Sequence, residues 1–210
     1  FDDVRVRQAF KLALDPQGLI DGALGGNGVP ASDSPVAPTD PYRFDDVHTQ
    51  DIPGAKRLLA EAGYPDGLDI VFATSDVSSV TVPLAVTVQD MVKEAGFRIE
   101  LKQSSPDNYW GQDYGKYPLF SDYFNEYPAD AILSLIYRPG AQWNSVNYDN
   151  PEVTAALDAA RAEPDDAKRV EAYARAQRLI AADSPYAIPF FQNRVRALSV
   201  NVEGFQATED

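Results

Sequence analysis

"AKRLLAEAGYPDGLDIVFATS" (residues 55–75) decides the fold, because a helix, a glycine stop and a strand follow one another in a single short run. Ala55, Leu58, Leu59 and Ala62 recur at helical spacing and give one apolar face. Gly63 ends that helix, and residues 68–74 read as a strand. The scheme returns in "LAVTVQDMVKEAGFRIELKQS" (84–104), with Val88, Met91, Val92 and Ala95 on the helical face, Gly96 as the stop and a strand at 97–102. Both units turn through Ala-Gly-aromatic, where glycine accepts the left-handed backbone of a helix cap without a Cβ penalty. Helix and strand alternating in this way argue an α/β fold with the strands in one sheet.

Outward from these units, Val6, Ala9, Phe10, Ala13 and Leu14 predict an amphipathic helix over residues 3–14. Asp15-Pro16 supplies a cap and a first-turn proline for a short helix through Leu19, Ile20, Ala23 and Leu24, which Gly25-Gly26 stops. Residues 26–52 carry Pro30, Pro35, Pro38 and Pro41 with little periodicity. So long a loop inside a domain is usually functional or wrapped on a surface, and Val29, Val36, Tyr42 and Phe44 give it side chains to bury. Ala131 to Tyr137 is an almost continuous apolar run and reads as a strand buried on both faces. Residues 151–162 and 165–182 read as helices, the second opening on acids at the positive end of its dipole. After Ser184-Pro185 the chain is expected to run extended, through Ile188 to Phe191 and Val195 to Val200.

The composition narrows the function. With 210 residues and 44% hydrophobic ones, the chain is long and apolar enough to bury a sizeable core. Its net charge of −14 repels phosphate backbones and anionic membrane surfaces, and no basic stripe offsets it, so nucleic acid is not an expected partner. The absence of cysteine removes disulfides and thiolate metal sites. No apolar run reaches the roughly 18 residues of a membrane span. The opening at Phe1, on a helix approach with no leader pattern, is what a fragment or mature piece would show.

Catalytic and metal patterns are thin. Gly26-Asn27-Gly28-Val29-Pro30-Ala31 formally matches GxGxxA, but a helix precedes it and a proline-rich loop follows, the reverse of a dinucleotide site, so it reads as a turn. His48 is the single histidine and reads as an exposed loop residue; no G-x-S-x-G elbow accompanies it, and the acids at 40, 45, 46 and 51 lack EF-hand spacing. No cofactor and no metal is expected. Asp122, Glu126 and Asp130 offer paired carboxylates for a hydrolase of glycosides or peptides, although among 32 acids three cluster by chance.

A family resemblance runs through the whole chain. "FDDVRVRQAFKLALDPQGLI" (1–20), "GGNGVPASDSPVAP" (25–38), "AKRLLAEAGYPDG" (55–67) and "PEVTAALDAARAEPDDAKRVEAYARAQRLIAADSPYAIPFF" (151–191) together resemble the second lobe of the extracytoplasmic solute-binding proteins of ABC transporters, family 5, which carry peptides, nickel or opines. The resemblance implies a periplasmic-binding-protein type II lobe, a mixed sheet flanked by helices. It implies a solute-binding lobe II over residues 1–188, including the wrapped loop 26–52, with 189–210 returning toward a lobe I outside this chain. It further implies a binding module rather than an enzyme, working outside the cytoplasm or in the periplasm beside its membrane permease. Peptide is the default solute; opines, oligosaccharides and chelated nickel stay open, with a hydrolase as the rival and a partner-docking descendant as a third reading.

The same resemblance suggests site residues. Family members carry W-x-x-D-Y-x-D-P where this chain has Tyr123-Phe124-Asn125-Glu126-Tyr127-Pro128-Ala129-Asp130, so Glu126 falls where an acid holds the ligand's ammonium and Tyr123 replaces the tryptophan. "GAQWNS" (140–145) resembles the "GAPWN" of a proteobacterial branch, whose Trp-Asn pair faces the cleft; here that pair is Trp143 and Asn144. A strand ending at the rim would place Tyr127 and Trp143 as an aromatic wall, with Asn144 offering donor and acceptor and Arg138 a fork for a carboxylate.

Overall fold

Most of the helices begin where the sequence supplies a cap. The computed structural model describes residues 1–205. Asp3 caps α1 (Val4–Leu12), Asp15 caps α2 (Pro16–Leu24), and Asp51 caps α3 (Ile52–Glu61), each accepting a first-turn amide. Between α2 and α3 lies the short strand β1 (Gly28–Pro30). The repeated unit then gives β2 (Leu68–Ser75), α4 (Thr81–Met91) and β3 (Phe97–Ser104). Gly63 and Gly96 take φ of 97° and 101°. Each turn closes with the amide of the following aromatic reaching back five residues, Tyr64 to the Leu59 carbonyl at 3.0 Å and Phe97 to the Val92 carbonyl at 3.3 Å, the bond of a Schellman cap.

A short helix, α5 (Pro106–Asn108), runs into a π-helical turn at Tyr109–Asp113 before the two-residue strand β4 (Leu119–Phe120). Then come α6 (Ala129–Tyr137), α7 (Pro151–Ala162, capped by Asn150), α8 (Asp166–Asp183, capped by Asp165) and β5 (Phe190–Gln192). Strands β3, β2 and β4 form a parallel sheet in that order, with Leu68 opposite Phe97 and Phe72 opposite Leu119. β1 and β5 pair antiparallel as a second ribbon. Of the segment 189–210, residues 206–210 lie outside the described residues; 195–200, expected extended, form no ladder and are exposed.

The expected strand at 131–137 is instead the helix α6. Besides Ala129 its buried residues are Ile132, Leu133, Ile136 and Tyr137, a pattern of i, i+1, i+4 and i+5 that only a helix puts on one side. Asp130 lies in its first turn, where the dipole favours an acid.

Two apolar cores result. One lies among α1, α3, α4 and the parallel sheet, with Phe10, Leu59, Phe72, Val92 and Phe97 at its centre. The other lies among α6, α7 and α8, built on Leu133, Ile136, Tyr137, Leu157, Tyr173 and Ile180. Residues 31–37 of the proline-rich loop are buried, and Val36 packs into the second core. The two halves are joined at the C-terminus of α8, whose last carbonyls have no partner within the helix. Arg7 donates to the Asp183 carbonyl at 2.9 Å, Gln8 to Ala182 at 2.8 Å and Lys11 to Ala181 at 3.0 Å. Cations at the negative end of a helix are stabilising, so one face of α1 serves as the cap of α8.

Candidate functional site

Strands β2, β3 and β4 are parallel, so their carboxyl ends open on one side of the sheet, where α/β folds place ligands. There the molecule has an open concavity of about 1990 Å³, framed by residues 35–40, 117–128, 145–150 and 183–194. That exceeds the roughly 300–1,000 Å³ of an enclosed small-molecule pocket, because the concavity lies open to solvent.

Residues 121–128 cross this concavity without regular structure. Their ends are fixed: the Ser121 amide donates to the Ala73 carbonyl at 3.0 Å, its hydroxyl reaches Thr74 at 2.9 Å, and the Ala129 amide donates to Asp40 at 2.9 Å. Pinned at both ends, the stretch holds Tyr123, Glu126 and Tyr127 exposed on the concave face, with relative exposures of 50% for Tyr123 and 39% for Tyr127. Glu126 accepts one hydrogen bond, from the Thr39 hydroxyl at 3.2 Å. Its carboxylate is paired with no cation among the described residues, which leaves acceptor capacity free.

Trp143 is half-buried behind this face rather than on it. Its ring meets Tyr127 edge-on at 5.4 Å and stacks on Phe124 at 6.2 Å, so it props the aromatic wall from behind. The Asn144 side chain is consumed locally: its amide donates to the carbonyls of Arg138 (3.0 Å) and Tyr148 (2.7 Å), and its oxygen accepts from the Tyr148 amide (2.7 Å). It folds the 138–148 turn and does not line the concavity. Arg138 points elsewhere as well, into an ion pair with Asp158 at 2.6 Å. The structure thus brings Tyr123, Glu126 and Tyr127 together, backs them with Trp143, and leaves Asn144 and Arg138 outside. Asp130 also turns away, paired with Arg161 at 2.8 Å and accepting from the Tyr173 hydroxyl at 3.1 Å.

Three further groups lie on or beside this face, of which the sequence singled out only Asp122, as a paired carboxylate. Asp122 lines the concavity, half-buried, accepting from the Tyr114 hydroxyl and from the Tyr123 amide. Burial pushes its carboxyl above the usual range, against the two hydrogen bonds that pull it down. Tyr186 lines the wall next to Phe124, and its hydroxyl takes a hydrogen bond from the Ser145 amide at 3.1 Å. Trp110, at 46% exposure, lies 6.2 Å from the Tyr123 ring. A tryptophan in so polar a stretch as "SSPDNYWGQDYG" (104–115) was the available signal for it.

Among the described residues no three His, Cys, Asp or Glu side chains come close enough to hold a metal ion, and no helix is long and apolar enough to cross a membrane.

Residues 1–145 match the family described as bacterial extracellular solute-binding proteins, family 5, middle part. The chain belongs to that family. It is 28% identical over 231 residues to the glutathione-binding protein GsiB of Salmonella choleraesuis, covering 100% of this chain and 43% of that protein. It is 25% identical over 238 residues to the oligopeptide-binding protein AppA of Bacillus subtilis, covering 98% of this chain and 42% of the relative. The chain therefore spans about two fifths of the length of the curated relatives it matches. Among solved structures, the ABC transporter-associated periplasmic binding protein DppA of Helicobacter pylori, in complex with peptide STSA, superposes with a TM-score of 0.80 at 21% identity, over 91% of this chain and 39% of that one. The fold is that of a lobe of a type II periplasmic binding protein, a sheet flanked by helices.

Proposed function

We propose that the concavity is the solute-binding face of the substrate-binding component of an ABC importer, and that its solute is a peptide or peptide-like compound. The observation that carries this reading is the pinned loop 121–128, which holds a carboxylate without a cation and two tyrosines on the open face. Relatives named for glutathione and oligopeptides support the solute class. On this reading residues 1–188 are lobe II, the segment from residue 189 runs back to a first lobe, and closure of that lobe over the concavity excludes water and traps the solute. Closure would also create the surface that a membrane permease reads. The protein would work in the periplasm or its extracytoplasmic equivalent.

Glu126 would hold the solute's ammonium, and Tyr123 and Tyr127 would flank its first side chain. The full-length protein, purified without denaturation, is expected to retain or bind a peptide-like molecule by native mass spectrometry. Glu126→Gln is expected to weaken binding of a free-amine peptide about tenfold or more, since hydrogen bonds to charged groups contribute about 1.5–3 kcal/mol. Affinity for the N-acetylated peptide should be low and unchanged. Failure of any peptide, opine or sugar to bind would overturn the reading; turnover of a bound peptide, lost in Glu126→Gln, would favour a hydrolase.

A further inference from the structure

His48, read in the sequence as an exposed loop residue, is half-buried at a junction of three segments. Its Nε2 lies 3.2 Å from the Leu14 carbonyl and its Nδ1 3.3 Å from Asp33 Oδ2. Among the described residues no well-aligned hydrogen bond reaches that Nδ1. Asp33 is itself buried, its side chain 6% exposed, and its backbone sits at φ 50°, unusual for a residue with a Cβ. One carboxylate oxygen faces both the Lys11 ammonium at 3.1 Å and the His48 ring, which is cationic when protonated. The other accepts the Ile188 amide at 3.1 Å. Next to it the Ala31 amide donates to the Pro189 carbonyl at 3.0 Å, and β5 begins at Phe190. One buried carboxylate thus joins α1, the proline-rich loop and the start of the returning segment.

We propose that His48, Asp33 and Lys11 form a proton-sensitive latch that fastens the segment starting at Ile188 to the rest of the lobe. The chemistry lies in the two acceptors that face one ring. A neutral imidazole has a single N–H and must leave either the Leu14 carbonyl or Asp33 facing a lone pair; the imidazolium donates to both. The groups facing the pair are Lys11 on α1 and, on α6, the buried Tyr137 hydroxyl, which lies in the field of Asp33 and has no hydrogen-bond partner among the described residues. Lys11 and burial oppose a second positive charge, while the contact with Asp33 favours it and prevails, so the imidazole titrates above its ordinary 6.5. A raised folded-state value means that the contribution is fully present below about 6.5 and is lost as pH rises through the higher value. The latch is therefore tight in acid and slack in alkali. Where the segment from Ile188 serves as the hinge of a closing clamp, which rests on the solute-binding reading, proton uptake stiffens that hinge.

The test is residue-resolved amide exchange on the full-length protein without solute, corrected for intrinsic rates, between about pH 5.5 and pH 8, the range in which a histidine changes charge. Protection of the Ile188 amide is expected to fall severalfold across that range relative to the Ala55 amide of α3, and the His48 ring to titrate above 6.5. In His48→Gln the Ile188 profile should be flat, because a glutamine amide neither gains nor loses a proton in that range. Parallel profiles in wild type and variant, or a ring titrating at or below 6.5, overturn the latch. Asp33→Asn should abolish the pH response; should it fail to fold, His48→Gln at the less buried partner still decides. The readout needs no solute, so a latch that passes while every solute fails removes only the hinge consequence.

Discussion

Phe97→Ala is expected to lower the free energy of unfolding by about 3–5 kcal/mol, the range for deleting a fully buried aromatic ring. Phe97 is 0% exposed and meets the Phe10 ring edge-on at 5.4 Å, which in turn meets Phe1 at 5.4 Å. Its amide also closes the turn after α4, and its backbone pairs with Leu68 at the start of the sheet. The substitution removes ring burial and leaves a void between α1, α4 and β3, while the backbone bonds can persist. Urea denaturation should show a lower midpoint at an unchanged slope. A loss below about 1 kcal/mol would mean that the site collapses around the alanine, against the close packing of this core.

This first core was the legible part of the chain. Leu59 and Val92, both buried, belong to the helical faces written in the repeated units, and the glycines that close those helices adopt the left-handed backbone that their place after Ala62 and Ala95 requires. Local signals sufficed because each turn is fixed by residues no more than five apart. Glu126, Tyr127 and Tyr123 are marked by the family resemblance of residues 123–130 rather than by local physics, and the fold sets all three exposed on the concave face. The placement of Arg138 and Asn144 was not legible. Nothing local shows that Asp158, twenty positions on in α7, meets the Arg138 fork, or that the Asn144 amide is spent on the turn it closes. The placement of His48 is likewise hidden, because Asp33 and Leu14 come to it only through the packing of the loop on α1.

The misread element is α6, and its composition explains the error. In "ADAILSLIY" (129–137) six of nine residues are isoleucine, leucine or alanine at consecutive or near-consecutive places, a density that a strand buried on both faces also shows. Length could not arbitrate, since the element falls between typical strands and typical helices. What resolves it is the partner: α7 offers Val153, Leu157 and Ala160 as a single ridge, and only a helix can present Ile132, Leu133 and Ile136 to that ridge together.

Ser134→Pro puts this on trial and should cost about 3 kcal/mol or more, because a helix-interior proline removes one backbone bond and drives its ring into the carbonyl four residues back. Ser134→Ala is the control. Alanine favours a helix and gives up hydroxyl contacts to Arg138 at 3.3 Å and Arg161 at 3.0 Å, but both guanidinium groups keep their carboxylates, Asp158 and Asp130, so its loss should stay below about 1 kcal/mol. The proline should also reach the concave face. The Leu135 carbonyl of α6 accepts the Trp143 amide at 3.0 Å, and Trp143 backs Tyr127; with the helix broken, the prop loosens. Tryptophan fluorescence reads this directly, because Trp110 is already 46% exposed and a red shift must come from Trp143. A folded Ser134→Pro variant with unshifted fluorescence and a loss as small as that of alanine would show that residues 129–137 do not depend on helical bonding, and that Tyr127 stands without its prop.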